Sequence, residues 1–435
     1  MSGAKTIRVD YMARVEGEAS LLVKVKGGAV QDVKLKIFEP PRLFEALLRG
    51  RHYSEAPDIT ARICGICPVA YQMTSVHAIE NALGVTIHPQ VRLLRRLFYT
   101  GEWLESHALH IYMLHAPDFL GCHNVMEVAQ KHPEVVAEAL RLKKLGNRIV
   151  STIGGREVHP VSVCVGGFYK VPTRADLLAL REELKWALDV AAEKVRFVAG
   201  FEYPDFDQPY EFVALSHPDE YPFNEGRLVS NRGLDIEASE YEEHFVEKHV
   251  KHTHALHSQI RARGSYLTGP LARFNLNHEK LPAVAKQAAE AAGLRAPCLN
   301  PFRSLVVRAV EMVFAIEEAL RVIDVYEPPP APHLDLPRRG GAGFAITEAP
   351  RGINYNYYRF DDKGLIEIAR IVPPTSQNQK QIEEDLAAFV PGLLELPQAE
   401  LTHKCEQAVR NYDPCISCAT HFLTVKVENV KEDAC

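Results

Sequence analysis

From about residue 6 to 38, apolar and polar side chains alternate through IRVDYMARVEGEASLLVKVKGGAVQDVKLKIF, with Gly27-Gly28 interrupting the run. A period of two belongs to strands with one covered face, and paired glycines between two such runs predict a hairpin. Pro40-Pro41 ends the region. Beyond it apolar residues recur at three- and four-residue spacing over 43–48, 71–83, 91–114, 128–142 and 174–199, which predicts helices. Pro172-Thr173 and Asp176 open the last of these. Residues 204–240 are irregular, aromatic and polar, and read as a long loop with short strands. Helical spacing returns over 279–291 and 301–325, until Pro328, Pro329, Pro330 and Pro332 break it. Gly340, Gly341 and Gly343 lead into strand-like AITEAPRGINYNYYRF and LIEIARIVPP, and one more helix is expected over 379–390.

The expected fold is α+β and predominantly α. A large helical bundle core carries a small N-terminal antiparallel sheet and short strands in the C-terminal third. Residues 1–435 are read as a single domain, with a strand region over 6–38, a helical core over 42–326, a C-terminal region over 338–421 and a tail over 422–435. The composition, 46% hydrophobic and 24% charged, is that of a soluble globular protein. A formal net charge of −6 lacks the basic excess that nucleic-acid binding needs. No apolar run reaches the roughly 18 residues of a membrane helix. MSGAKTIRVDYMARVEG enters strand-like alternation without a signal-peptide core, so no export signal of its own is expected.

The chemistry lies in the cysteines, at 64, 67, 122, 164, 298, 405, 415, 418 and 435. An odd number thinly spread over a long chain is unlike a secreted disulfide framework. Four fall in two C-x-x-C pairs, in RICGICPVAYQMTSVHAIENALG and RNYDPCISCATHFL. Four thiolates on one centre select a thiophilic metal: nickel, iron, zinc or copper(I). Spacing alone leaves three readings open: a catalytic metal, a structural zinc and a redox pair. Structural zinc pairs usually share one small module, whereas these are separated by almost the whole chain. Cys122, Cys164, Cys298 and Cys405 read as buried hydrophobes. His244, His249, His252, His254 and His257 match no compact ligand spacing in their charged surroundings, and read as a solvated face.

RICGIC and DPCISC resemble the two signature motifs of nickel–iron hydrogenase large subunits. Four further blocks agree in order: ARVEGE near the start, ESHALH at 105–110, GGREVHP at 154–160 and EAPRG at 348–352. The resemblance implies that Cys64 and Cys415 are terminal nickel ligands, and that Cys67 and Cys418 bridge nickel and iron. It implies carbon monoxide and cyanide on the iron, installed by maturation proteins, and reversible oxidation of H2 at the centre. Splitting H2 needs a Lewis-acidic metal with a base beside it, a role open to the terminal thiolate of Cys415.

Taken alone, Glu16 is an ordinary solvated strand carboxylate and Arg351 with Asp413 an ordinary ion pair. The resemblance makes Glu16 the group that passes protons outward from the terminal cysteine. It makes Arg351 the arginine over the metal's open face, oriented by Asp413. Glu45, a backbone carbonyl near Arg370, and His421 become ligands of a separate Mg2+ (or Fe2+). Glu18, Tyr71 and Ser106 depart from the family pattern, where histidine, histidine and aspartate are common. The tail FLTVKVENVKEDAC after His421 is expected to be removed by a maturation peptidase; otherwise it is a native final strand.

No further cysteine pattern holds an iron–sulfur cluster, so a small subunit bearing such clusters is expected. ESHALHIYMLHAPDFLG and CGICPVAYQMTSVHA look most like the cytosolic bidirectional branch, whose complexes add flavin subunits using NAD(P). The chain lacks a Rossmann glycine fingerprint, consistent with a coenzyme site on other subunits. The rivals are a nickel-free relative of the same fold and a structural zinc-binding protein.

Overall fold

The computed structural model describes residues 5–39 and 43–420. The N-terminal alternation forms an antiparallel meander of Lys5–Val9, Ala19–Lys26 and Ala29–Ile37. Ala19, Leu21, Val23 and Val25 of its middle strand face the core. Gly27 and Gly28, with φ of 63° and 79°, turn the hairpin in the left-handed region that glycine enters without a Cβ clash.

The helical core is built on Pro68–Leu83, Pro89–Ala108, Pro133–Gly154, Arg181–Ala199 and Ser304–Val325. Three of these begin on proline, whose missing N–H is no loss in a first turn. Pro89–Ala108 and Pro133–Gly154 approach until backbone meets backbone: a Cβ on Gly146 would lie 2.6 Å from the Gly101 carbonyl oxygen. Their glycines are contact points, not helix breakers.

Several boundaries differ from the apolar spacing. The helix expected over 91–114 is α-helical to Ala108 and then widens into a π-helical segment, Leu109–His115. Pro133 divides the helix expected over 128–142 into Val125–Lys131 and Pro133–Gly154, and the second runs well past residue 142. The helix expected over 174–199 breaks between Arg174–Leu178 and Arg181–Ala199. The strands Phe245–Lys248 and His257–Ile260 and the helices Pro270–Asn277 and Gln398–Arg410 have no counterpart in the expectation. The helix expected over 379–390 starts at Pro374. Its first turns, Thr375 to Gln379, are polar yet buried, so no apolar period marks them.

Strands Gly341–Ala349, Gly352–Phe360 and Ile366–Val372 form an antiparallel sheet against the Pro68–Leu83 helix. Gly343 is required there, since a Cβ would sit 2.2 Å from the Ala78 carbonyl oxygen. One apolar cluster includes both Ile7 and Ala419, so the two chain ends share a core. Among the described residues, no helix is long and apolar enough to cross a membrane.

Candidate metal centre

The first cysteine pair sits where an extended residue meets a helix start. Cys64 is extended, at φ −141° and ψ 139°, and Cys67 immediately precedes the Pro68–Leu83 helix. The amides of Ile66 and Cys67 both donate to Cys64 Sγ at 3.3 Å, an arrangement that favours thiolate. Behind the pair, the buried carboxyl of Glu102 accepts the first helical amides, from Val69 at 2.6 Å and Ala70 at 3.1 Å. Burial holds that carboxyl well above the usual range, against those two amides.

The second pair is delivered from the far end of the chain. Asp413 takes a left-handed backbone, φ 50°, and turns the chain so that the Cys415 amide donates to Thr375 Oγ1 at 3.0 Å. Cys415 Sγ then lies 3.6 Å from Cys64 Sγ and 2.8 Å from Cys418 Sγ. One sulfur from each of the four cysteines falls within 4.8 Å of the others, and all four residues are buried. These separations exceed a disulfide's roughly 2.05 Å and match the spread of sulfurs around a small metal centre.

The N-terminal strand region docks on the second pair. The backbone of Glu16 bridges that of Cys415, with the Ile416 amide donating to the Glu16 carbonyl at 3.0 Å. Gly17 permits the approach: its φ is +87°, and a Cβ would lie 2.6 Å from Ile416 Cβ. The Glu16 carboxylate accepts from Cys415 Sγ at 3.1 Å, from the Ser417 amide at 3.1 Å and from the Ser417 hydroxyl. Glu16 is half-buried, so one side of this carboxylate faces the sulfurs and the other leads outward. Arg14 and Arg410 clamp the segment through the buried Asp118, and Arg410 also donates to the Ala13 carbonyl at 2.9 Å.

Arg351 occupies the tip of the tight turn between Ala349 and Gly352. Its Nε donates to the Asp413 carbonyl at 2.8 Å and its Nη2 to Asp413 Oδ1 at 3.2 Å. Nη1 is buried without a hydrogen-bond partner, a donor held ready for a group the side chains do not supply. Arg351 is held well above its ordinary value against burial, by Asp413 first and then the thiolates of Cys415, Cys67 and Cys64. Burial pushes the Cys415 and Cys418 thiols up, whereas Cys64 is pulled well down by its hydrogen bond with Cys415. Four thiolates packed this closely need a cation to share the charge. The donor set, the burial and the orphaned arginine N–H all fit a soft bimetallic centre. Tyr71 lies near the cluster with its hydroxyl buried and unpartnered, its ionisation opposed first by burial and then by the four cysteines.

The expected second site is only partly within the described residues. Glu45 is buried and accepts the Ile371 amide at 2.9 Å, while the Arg370 guanidinium stands 3.7 Å away as its counter-ion. His421 and the tail lie outside the described residues. Glu247, which the sequence does not single out, is half-buried nearby. Burial raises the Glu45 and Glu247 carboxyls to about 7 and about 8, and the Glu45 charge adds to the shift at Glu247. Two carboxylates so placed suit a hard cation. Glu102, Thr375 and Ser417 also escaped the sequence. Ser417 sits inside the second C-x-x-C pair, which is the one signal that could have marked it. Ser106 is buried with its hydroxyl unpartnered, and Cys122, Cys164, Cys298 and Cys405 are buried free thiols as expected. The histidines do not all behave as a solvated face: His257 is only 2% exposed, and His252 bonds Glu383.

The family model for nickel-dependent hydrogenase matches residues 42–138 and 304–421. Sulfhydrogenase 1 subunit alpha of Pyrococcus furiosus is 32% identical over 96% of this chain and 98% of its own length. The NAD-reducing hydrogenase HoxS subunit beta of Cupriavidus necator is 26% identical over 97% of this chain and 95% of its own. A crystal structure of an NAD+-reducing [NiFe]-hydrogenase in the H2-reduced state superimposes with a TM-score of 0.86 and 26% identity, over 97% of this chain and all of that one.

Proposed function

The chain belongs to the nickel-dependent hydrogenase family as a large subunit, and on that premise we propose that Cys64, Cys67, Cys415 and Cys418 hold its nickel–iron pair. The observation that carries this reading is the gathering of four buried sulfurs from opposite ends of the chain. By the family resemblance, Cys64 and Cys415 would hold the nickel, and Cys67 and Cys418 would be shared between the nickel and an iron that carries carbon monoxide and cyanide. When bound, the pair supplies the Lewis acidity and redox capacity for reversible, heterolytic H2 oxidation.

The chain's own residues do the rest. Cys415 Sγ takes a proton and passes it across 3.1 Å to Glu16 Oε2. The Ser417 amide and hydroxyl fix that carboxylate so that it faces the sulfur in one rotamer. Asp413 holds the Arg351 guanidinium in a single orientation, which leaves the buried Nη1 free to donate to a ligand of the metal pair when that pair is bound. Glu102 and Thr375 position the two cysteine pairs through the backbone.

Glu45, the carbonyl near Arg370 and His421, with Glu247 close by, are the proposed ligands of a separate Mg2+ (or Fe2+). Residues 422–435 are the proposed substrate of a maturation peptidase that acts after His421. Residues 1–435 act as one domain. Electrons leave to an iron–sulfur small subunit and on to NAD(P) through flavin subunits, in the cytoplasm. The greater identity to the sulfhydrogenase subunit favours a sulfur acceptor as the second reading, and H2-dependent reduction of NAD(P) against sulfur by the purified complex separates the two. Nickel and iron analysis with infrared spectroscopy tests the centre itself. Iron-bound carbon monoxide and cyanide bands are expected, while zinc without nickel in active protein overturns the reading.

A further inference from the structure

The histidine-rich stretch between the strands Phe245–Lys248 and His257–Ile260 meets the Pro374–Phe389 helix. His252 Nε2 lies 2.7 Å from Glu383 Oε1. The His252 and His257 rings stand 5.7 Å apart, nearly perpendicular at 80°. One ligand atom from each of His252, His257 and Glu383 falls within 4.8 Å of the other two. His257 is 2% exposed, yet its buried Nε2 has no hydrogen-bond partner. A histidine–carboxylate pair alone accounts for His252 and Glu383 but leaves that nitrogen desolvated with nothing gained.

We propose that His252, His257 and Glu383 form a further metal site, separate from the four cysteines, that takes a zinc-like divalent cation. Two imidazoles and one carboxylate form a nitrogen-rich ligand set that suits zinc and discriminates against the oxygen-seeking Mg2+ and Ca2+. His257 is buried with its Nε2 unpartnered, so a ring nitrogen is left to offer a lone pair. His252 is half-buried, which leaves the fourth position open to water. Lys380, on the same helix as Glu383, is a nearby cation opposing the charge, while Asp32 is a nearby carboxylate beside His252.

The site joins three parts of the fold. Glu383 accepts the Leu35 amide at 3.0 Å and so ties the helix to the N-terminal sheet. The same helix carries Thr375, which receives the Cys415 amide. Between the two histidines, Ala255 bridges Thr420, two residues beyond Cys418. A cation here pins the platform that supports the second cysteine pair.

The test uses the purified, matured complex, dialysed against chelator, exposed to Zn2+ and freed of excess. About one zinc per chain is expected beyond nickel and iron, with nitrogen and oxygen neighbours at about 2.0–2.1 Å in zinc X-ray absorption. His257→Gln, and His252→Ala at the half-exposed rim, should each lose that zinc while keeping nickel, iron and H2 uptake. No extra zinc in the unsubstituted complex overturns the proposal, as does equal zinc in both variants or sulfur in the zinc shell. Nickel and iron content reports on the cysteine centre independently, so failure of one reading is distinguishable from failure of the other.

Discussion

Replacing Glu16 by glutamine tests the proton path with the smallest change of shape. The carboxylate receives three donors: Cys415 Sγ, the Ser417 amide and the Ser417 hydroxyl. An amide keeps one accepting oxygen and turns an N–H toward at least one of those donors. It also cannot hold a transferred proton near neutral pH. A positioned acid–base group contributes about 10²–10⁴ in rate, or roughly 3–5 kcal/mol of barrier. Glu16→Gln should therefore slow H2/D+ exchange by that factor while nickel, iron and the infrared bands stay in place. Glu16→Asp is the control: it withdraws the carboxylate by about 1.5 Å, one carbon–carbon bond, and should retain part of the exchange. The assay is isotope exchange by mass spectrometry on metal-quantified protein. Exchange by Glu16→Gln within about threefold of the unsubstituted enzyme, below the smallest contribution expected of an acid–base group, refutes the path, because the sulfur then releases its proton without this carboxylate.

Three other outcomes follow from the geometry. Arg351→Lys keeps a charge but loses the fork to Asp413, and should cut H2 uptake by about 10²-fold or more at unchanged nickel content; uptake within a few-fold of normal counts against the orienting role. Gly146→Ala places a Cβ 2.6 Å from the Gly101 carbonyl oxygen and 2.8 Å from the Glu105 amide nitrogen. Overpacking of about 1–3 kcal/mol should outweigh about 1 kcal/mol of helix propensity, so thermal unfolding should begin at lower temperature, and an unchanged midpoint contradicts the close packing. Burial raises Glu105 from 4.5 to about 8. A raised carboxyl gives stability that is fully present below about pH 4.5 and declines as pH rises toward about 8, because the folded state holds the proton longer. Glu105→Gln removes that decline, so its melting temperature relative to the unsubstituted protein should climb between pH 5 and pH 8; parallel curves refute the shift.

The strand period of the N-terminal meander and the apolar spacing of the long core helices were legible because each buries one face against a continuous core, and that periodicity survives in a linear reading. Polar segments with buried backbones were not. Thr375 to Gln379 begin a helix without an apolar stripe, since hydroxyls and amides there bond to neighbouring backbone, as Ser376 does to Pro373 and Gln377 to Ile353. The π-helical segment at Leu109–His115 left no mark either, because one added residue per turn changes which side chains face inward without changing their types.

The sequence by itself determined the chemistry of the centre, since only cysteines in two C-x-x-C pairs supply four soft ligands and the flanking blocks resemble one family. Tertiary structure alone decided proximity. That Glu16 reaches Cys415, that Arg351 Nη1 is left without a partner, and that Glu383 meets His252 and His257 depend on long-range docking of segments that local patterns do not encode. Side-chain type is a property of one position, whereas a distance between sulfurs is set by the packing of the whole core between them.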